Sequence, residues 1–181
     1  TCTLSISCAT ILDNLDLCDP EKVELVPADG WILQPMTVTF YEGESVFNVL
    51  QRTCKQQKIH MEFENTPIYN SAYIEGINNL YEFDVGNTSG WMYRVNGEFP
   101  DTYMGAYELE DGDVIEVFFT ADYMDEPGMF LPFTDVTNHW AYSAIKRVYT
   151  RGLMVGMDEK TFAPDQQLSR AMLAVILYAM A

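Results

Sequence analysis

Apolar and polar residues alternate along several short segments of the first 120 residues. Leu4, Ile6 and Cys8 alternate with polar residues, and residues 36–41 alternate in the same way. A two-residue period is typical of strands. A helical period follows, and Ser45 is placed to cap that helix. Its apolar stripe consists of Val46, Val49, Leu50, Thr53 and Cys54.

Three further strands are predicted downstream. Residues 59–63 and 91–95 alternate, and the second of these segments leads into the turn dipeptide Asn96-Gly97. A tight turn at residues 111–113 precedes the last strand, residues 114–120. A strand, a helix, a strand and a closing meander describe an α+β fold. It is a small sheet with one packed helix, similar to the β-grasp arrangement.

A connecting segment, residues 65–77, matches neither a helix nor a simple strand. It contains Tyr69 and Tyr73, and Trp91 and Tyr93 follow on the hairpin. Aromatic faces with amide and hydroxyl neighbours suit a flat or sugar-like ligand, so these four aromatic residues are candidates for ligand binding. The alternative is a structural role for all four residues. The tyrosines would anchor a long loop on the core, and the aromatic residues of the hairpin would be part of that core.

The last fifty residues have the period of two helices. Apolar residues recur on one stripe over 141–149, and Gly152 stands where a left-handed residue would end that helix. Ser169 is placed to cap a second helix over 170–181. This pattern predicts a small C-terminal helical module.

Two residues of this module each have two interpretations. Trp140 is either a buried core aromatic or a ring that binds a ligand. Arg170 lies in the first turn of its helix, where the helix dipole disfavours a cation. Either an anionic ligand or a structural ion pair with Asp135 or Asp165 would explain an arginine there.

Charge is distributed unevenly. The chain holds 10 basic and 27 acidic residues, for a net charge of −17. Residues 132–181 hold 5 basic and 4 acidic side chains, which leaves 5 and 23 in residues 1–131, a net of −18. So acidic a region repels phosphate backbones, which excludes nucleic acid as its partner. Solubility of a secreted protein is the general explanation for such a surface. The C-terminal segment alone suits an anionic polymer.

Four cysteines, Cys2, Cys8, Cys18 and Cys54, allow three fully paired connectivities. Cys2 and Cys8 would lie roughly 20 Å apart on one strand, too far to bridge each other. Cys54 falls on the apolar stripe of the predicted helix, where a buried thiol explains it as well as a disulfide does. In an extracellular chain we expect at least one disulfide, which would involve Cys8 or Cys18.

Catalytic and metal-binding motifs are missing from the sequence. It contains no G-x-S-x-G, H-E-x-x-H, Walker or G-x-G-x-x-G motif. Among 27 acidic residues some are neighbours by chance, so no glycosidase pair can be singled out. No C-x-x-C occurs, and no segment approaches the roughly 20 apolar residues that span a bilayer. A non-catalytic protein without a metal site or membrane span is expected, and a secretion signal would already have been removed.

A set of motifs follows one another in the C-terminal segment. They are Phe-Thr-Asp-Val at 133–136, His-Trp-Ala at 139–141, glycines at 152 and 156, Phe-Ala-Pro-Asp at 162–165 and Ser-Arg-Ala at 169–171. Their order and spacing resemble one S-layer homology repeat. The resemblance implies an extracellular location in the cell wall or S-layer, with secondary cell-wall polymer as the partner. It carries Asp135, Trp140, Ser169 and Arg170 over as candidate wall-polymer residues.

The match departs from the family in one place. The usual Thr-Arg-Ala-Glu is Ser-Arg-Ala-Met at 169–172, which removes an acidic contact. S-layer homology repeats are usually found in threes, and this chain has one. We therefore expect the natural chain to continue into further repeats.

A second group of motifs lies in the first part. It comprises Phe-Tyr-Glu-Gly-Glu-Ser-Val at 40–46, Ser-Gly-Trp-Met-Tyr-Arg-Val-Asn-Gly at 89–97 and Leu-Glu-Asp-Gly-Asp-Val-Ile at 109–115. Their order over about 35–120 is similar to the transcobalamin-like C-terminal domain of many bacterial surface proteins. Eukaryotic relatives use this domain as one half of a cobalamin carrier. The resemblance therefore makes cobalamin a candidate ligand.

These observations predict three parts: a transcobalamin-C-terminal-like α+β domain over 1–122, a linker over 123–131 and an S-layer homology repeat over 132–181. The leading hypothesis is a non-catalytic secreted surface protein, a ligand-binding or cell-adhesion module attached to the wall. Its ligand would be a small molecule or a glycan. The alternatives are a corrinoid-binding protein and a hydrolase, or its accessory, that acts on wall or polysaccharide.

Overall fold

The computed structural model describes residues 1–66 and 71–180. Its strands are β1 (Cys2–Ser7), β2 (Trp31–Val38), β3 (Met61–Thr66), β4 (Ser71–Ile77), β5 (Leu80–Tyr81), β6 (Gly90–Val95) and β7 (Val114–Thr120). Its α-helices are α1 (Ala9–Leu12), α2 (Val46–Gln57), α3 (Tyr142–Thr150) and α4 (Arg170–Ala179).

The chain divides into two compact units, Thr1–Glu126 and Pro127–Ala181, which we call the N-terminal and C-terminal units. In the N-terminal unit, four strands form a sheet in the order β2-β1-β7-β6, and β3, β4 and β5 form a second sheet. Strands β1 and β7 are parallel, whereas the other pairs are antiparallel. The predicted α+β class is confirmed. The β-grasp arrangement and the limits at 122 and 132 stay predictions.

Helix α2 begins where predicted because its first turn is capped from both sides. The Ser45 hydroxyl oxygen accepts from the Asn48 N–H at 3.3 Å, and the Asn48 side chain accepts from the Ser45 N–H at 3.0 Å. This reciprocal pair is a capping box, with asparagine in place of the usual glutamate. The predicted apolar stripe is buried and shares one core with Leu4 and Ile115 of the main sheet.

Two strand predictions were wrong. Residues 71–77, expected to be irregular, form β4, and the strand expected at 36–41 is β2, which begins at Trp31 and ends at Val38. In both places the strand has extra residues relative to its partner. Glu75 of β4 is skipped in the pairing with Glu62 and Phe63, and the register of β2 shifts twice opposite residues 4–7 of β1. A bulge breaks the two-residue period on which the prediction rested.

The expected disulfide is absent, since all four cysteines are buried free thiols. Cys2 and Cys54 belong to the main core, whereas Cys8 and Cys18 belong to a second cluster with Ile11 and Phe119. Burial raises the pKa of Cys8 to about 11 and that of Cys54 to about 12. Thiols that stay protonated and packed behave as small apolar side chains, which is their structural role here.

The C-terminal unit has its own small core. Its buried residues are Phe133, Val136, Ile145 and Phe162. Helix α3 ends before Gly152, whose φ of 67° is the predicted left-handed conformation. Ser169 caps α4 as predicted, since its hydroxyl oxygen accepts from the Met172 N–H at 3.1 Å. No helix within the described residues is long and apolar enough to cross a membrane.

Candidate functional site

The aromatic residues predicted to bind a ligand in the N-terminal unit divide between core and surface. On β6, the Trp91 indole N–H donates to the Leu80 carbonyl at 2.9 Å, and its ring packs edge-on against Phe119, 5.3 Å between centroids. The Tyr93 hydroxyl donates to the Thr102 carbonyl at 2.5 Å, and burial raises the pKa of Tyr93. Both side chains are partly buried against the core, and their polar atoms have partners inside the fold.

Tyr73, in contrast, lies on the surface. It is 52% exposed on β4, and its hydroxyl donates to the Glu82 carboxylate. Partial burial and the nearby carboxylate raise the pKa of Tyr73 to about 12, so the hydroxyl keeps its proton at neutral pH. Tyr69 lies outside the described residues. Tyr73 is therefore a surface residue, whereas the two aromatic residues of β6 are packed against the core.

A second tyrosine–carboxylate pair, which was not predicted from the sequence, involves Tyr81 and Glu62. The Tyr81 hydroxyl donates to Glu62 at 2.6 Å. These residues share a face because Glu62 pairs with Gly76 on β4, and Gly76 pairs with Tyr81 on β5. A Cβ on Gly76 would lie 2.8 Å from the Tyr81 ring, so the glycine lets the ring lie across β4. The alternation of β3 places Glu62 outward, but only the register between strands places it beside a tyrosine.

In the C-terminal unit, two of the four predicted wall-polymer residues hold the fold. The Asp135 carboxylate accepts from the Phe162 N–H at 3.0 Å and from the Ala163 N–H at 2.7 Å. These hydrogen bonds lower the pKa of Asp135. Ser169 is occupied as the cap of α4. Asp135 thus fixes the turn at residues 162–163, and Ser169 starts the helix that carries Arg170.

Trp140 is on the surface rather than in the core. It is 90% exposed, which excludes the core interpretation for this indole within the described residues. Its ring lies beside that of His139, 5.5 Å between centroids, and the His139 Nε2 is 3.4 Å from an Asp165 oxygen. His139 lies in the quoted motif, but the sequence did not single it out as a site residue.

Arg170 is also exposed, at the first position of α4. The structural ion pair considered for it would need Asp135 or Asp165. Asp135 binds two main-chain N–H groups, and Asp165 contacts His139. Among the described residues Arg170 has no ion pair, so the structure does not support the structural explanation for this cation.

Metal-ligand geometry is not found in the described part. No group of three or more histidine, cysteine, aspartate or glutamate side chains there could hold a metal ion. The carboxylates of the N-terminal unit instead pair with tyrosines and main-chain groups.

Comparison with protein families places both parts of the chain. Residues 43–121 match a family described as a domain of unknown function, DUF4430, which is a transcobalamin-like domain family. Residues 132–172 match the S-layer homology domain. Both resemblances drawn from the sequence are confirmed.

Two solved structures align with about two thirds of the chain. Haptocorrin in complex with Cbi is 16% identical over 66% of this chain and 24% of its own, with a TM-score of 0.46. A putative metal binding protein from Ruminococcus gnavus is 14% identical over 67% of this chain and 97% of its own, with a TM-score of 0.39. The chain thus spans about a quarter of haptocorrin. No curated protein matches it.

The family matches define the class of protein. An S-layer homology domain is a cell-wall attachment module of surface proteins, so this chain is a cell-wall or S-layer-associated surface protein. The segment that precedes it, residues 43–121, matches the model of a transcobalamin-like domain family.

Proposed function

We propose that this chain is a non-catalytic surface protein whose C-terminal unit binds secondary cell-wall polymer and whose N-terminal unit is displayed as a ligand-binding or adhesion module. One observation carries the attachment role. Among the described residues the side chains of Trp140 and Arg170 are exposed and form no hydrogen bond or ion pair, whereas Asp135 and Ser169, from the same motifs, bind main-chain groups.

Charge supports this division of roles. An anionic polymer is repelled by the N-terminal unit, with 5 basic and 23 acidic residues, and meets a net charge of +1 in the C-terminal unit. A guanidinium binds phosphate or carboxylate groups through several donors in one plane. An exposed indole stacks on the apolar face of a sugar ring. Together these two groups suit a polymer of anionic sugars.

The first prediction concerns these two residues. Arg170→Ala and Trp140→Ala should each weaken binding of the chain to purified cell walls by about tenfold, because each removes a contact that the fold does not use. Co-sedimentation at a series of wall concentrations measures the affinity. Far-UV circular dichroism should be unchanged for both variants.

Matched controls lie in the same unit. Lys160→Ala removes one exposed positive charge, and Tyr178→Ala removes a ring that is 85% exposed. Both should bind walls as the parent does. If Lys160→Ala weakens binding as much as Arg170→Ala, net charge explains attachment. If neither Trp140→Ala nor Arg170→Ala weakens binding, the proposed site is wrong.

Corrinoid binding is the second candidate for the N-terminal unit, and its support is the transcobalamin-like family of residues 43–121. A ligand that binds only the folded state raises the melting temperature. Cobalamin and cobinamide should therefore raise it if this candidate holds, and wall oligosaccharides serve as the comparison. An unchanged melting temperature at high corrinoid concentration would remove the candidate.

A further inference from the structure

The solvent face of the β3-β4-β5 sheet carries tyrosines bonded to carboxylates. Tyr81 donates to Glu62, and Tyr73 donates to Glu82. A phenol that donates to a carboxylate keeps its ring in a fixed position beside a negative charge. The face of an aromatic ring is itself electronegative, so each pair favours a cation.

The ring of Tyr81 already lies beside a cation from its own chain. The Lys22 ammonium lies 4.9 Å from the Tyr81 ring centroid and 3.8 Å from an Asp84 carboxylate oxygen. It also donates to the Asn79 carbonyl at 2.8 Å. A ring, a carboxylate and a carbonyl together therefore accommodate a primary ammonium group on this face. A second position on this face with an aromatic ring beside a carboxylate would accept an ammonium group in the same way.

The second pair lies beside two further exposed rings. Phe83 is 57% exposed and follows Glu82, and Tyr123 is 41% exposed. The main chain holds both near one turn, since the Phe83 N–H donates to the Ser89 carbonyl at 3.2 Å and the Tyr123 N–H to the adjacent Thr88 carbonyl at 2.9 Å. Tyr123 is also close enough to Tyr73 to affect its pKa.

The carboxylates of this second position lack a cation. Glu82 accepts from the Tyr73 hydroxyl, and the Glu82 N–H donates to the Glu75 carbonyl at 2.9 Å, so both glutamates lie beside Tyr73. Neither forms an ion pair with a lysine, arginine or histidine in the part of the chain that the structure describes. Three exposed rings and two carboxylates thus form a surface that resembles the Lys22 position without its ammonium. We call these five residues the aromatic-acidic patch: Tyr73, Glu75, Glu82, Phe83 and Tyr123.

We propose that the aromatic-acidic patch is a docking surface for a basic protein segment that presents lysine ammonium groups. The inference deepens the display role of the N-terminal unit and rests on that part of the proposed function, but not on wall attachment. The net charge of −18 on this unit attracts a basic segment and repels nucleic acid and anionic polymer. The two units would therefore bind partners of opposite charge.

A short synthetic peptide of alternating lysine and glycine tests this surface. Fluorescence anisotropy with the full chain, at about 0.15 M salt, should detect saturable binding, and the same peptide with acetylated lysines should not bind. Tyr73→Ala and Glu82→Gln should each weaken binding roughly three- to tenfold, the scale of one cation–aromatic contact. Both residues lie on the surface of the sheet, and circular dichroism checks that the variants fold.

Matched controls distinguish a site from general charge. Tyr103→Ala removes an equally exposed tyrosine and Asp16→Asn an exposed carboxylate, both in the N-terminal unit away from the patch residues in sequence. Both should bind the peptide as the parent does. Equal weakening in the controls, or no binding of the lysine peptide, would overturn the proposal. Binding of a neutral glycan that the same two patch variants abolish would assign the surface to sugars instead. Because no wall is present, failure of wall attachment leaves this result unaffected.

Discussion

Gly156→Ala should open the core of the C-terminal unit and abolish wall binding, while the N-terminal unit stays folded. A Cβ on Gly156 would lie 2.3 Å from the Phe133 ring and 2.7 Å from the Asp158 carbonyl oxygen. The Phe133 ring packs against Tyr149 and Phe162, with centroids 5.0 and 5.3 Å away, so it has no free direction in which to move. Overpacking of a core costs about 1–3 kcal/mol and more where the neighbours are fixed. This core has only four buried apolar residues in the described part, so the C-terminal unit has little stability to spare and should unfold.

Hydrogen exchange of peptides from each unit measures this effect. Protection over 133–162 should collapse in Gly156→Ala, and protection over α2 should be unchanged. Gly152→Ala is the matched control, because its Cβ would meet nothing within 4 Å and only its φ of 67° is unfavourable. It should cost about 1 kcal/mol. Similar protection patterns in the two variants would show that steric contact with Phe133 does not matter.

Leu50→Ala should destabilise the N-terminal unit by about 3–5 kcal/mol. Leu50 is fully buried on α2, where it joins Val46, Val49 and Cys54 against the main sheet. Removal of a buried leucine costs its transfer energy and leaves a cavity that the core cannot fill. The loss is comparable to a large part of the stability of a typical domain.

The same substitution at Leu17 serves as control for this prediction. Leu17 is exposed, so Leu17→Ala should change stability by no more than about 0.5 kcal/mol. Urea dependence of hydrogen exchange in peptides of the N-terminal unit reports both values. A loss below about 1 kcal/mol in Leu50→Ala would contradict the packing of α2 onto the sheet.

Elements defined by local signals were predictable from the sequence. Helix α2 follows its cap at Ser45, and β7 was predicted with its exact bounds. The turn after β6 has positive φ at both Asn96 (54°) and Gly97 (77°), as the dipeptide predicts. Each of these features depends on residues within a few positions of one another, which is why the pattern alone was sufficient.

Features that depend on distant residues were not predictable. Strand β4 forms by pairing with β3, and its bulge interrupts the alternation of apolar and polar residues that would have predicted a strand. The partial burial of Trp91 depends on its packing against Phe119 and on its hydrogen bond to the Leu80 carbonyl, and neither residue is a sequence neighbour. The expected disulfide failed for a similar reason, because burial in two separate clusters is a property of the folded core.

The wall-polymer residues divide in the same way. The motif made all four positions candidates, but a motif does not say which residues stabilise the fold. Asp135 and Ser169 bind main-chain groups, and this required knowledge of the turn at Phe162 and of the start of α4. The exposure of Trp140 and the lack of an ion pair for Arg170 likewise became visible only in the structure.

Wall attachment through an anionic polymer is the central claim, and it can be tested with the unmodified chain. Co-sedimentation with purified walls should be compared before and after chemical removal of the secondary cell-wall polymer, at low salt and at about 0.15 M salt. We predict binding to intact walls that weakens as salt rises, since ionic contacts are screened, and loss of binding to stripped walls. Equal binding to intact and stripped walls would contradict the claim.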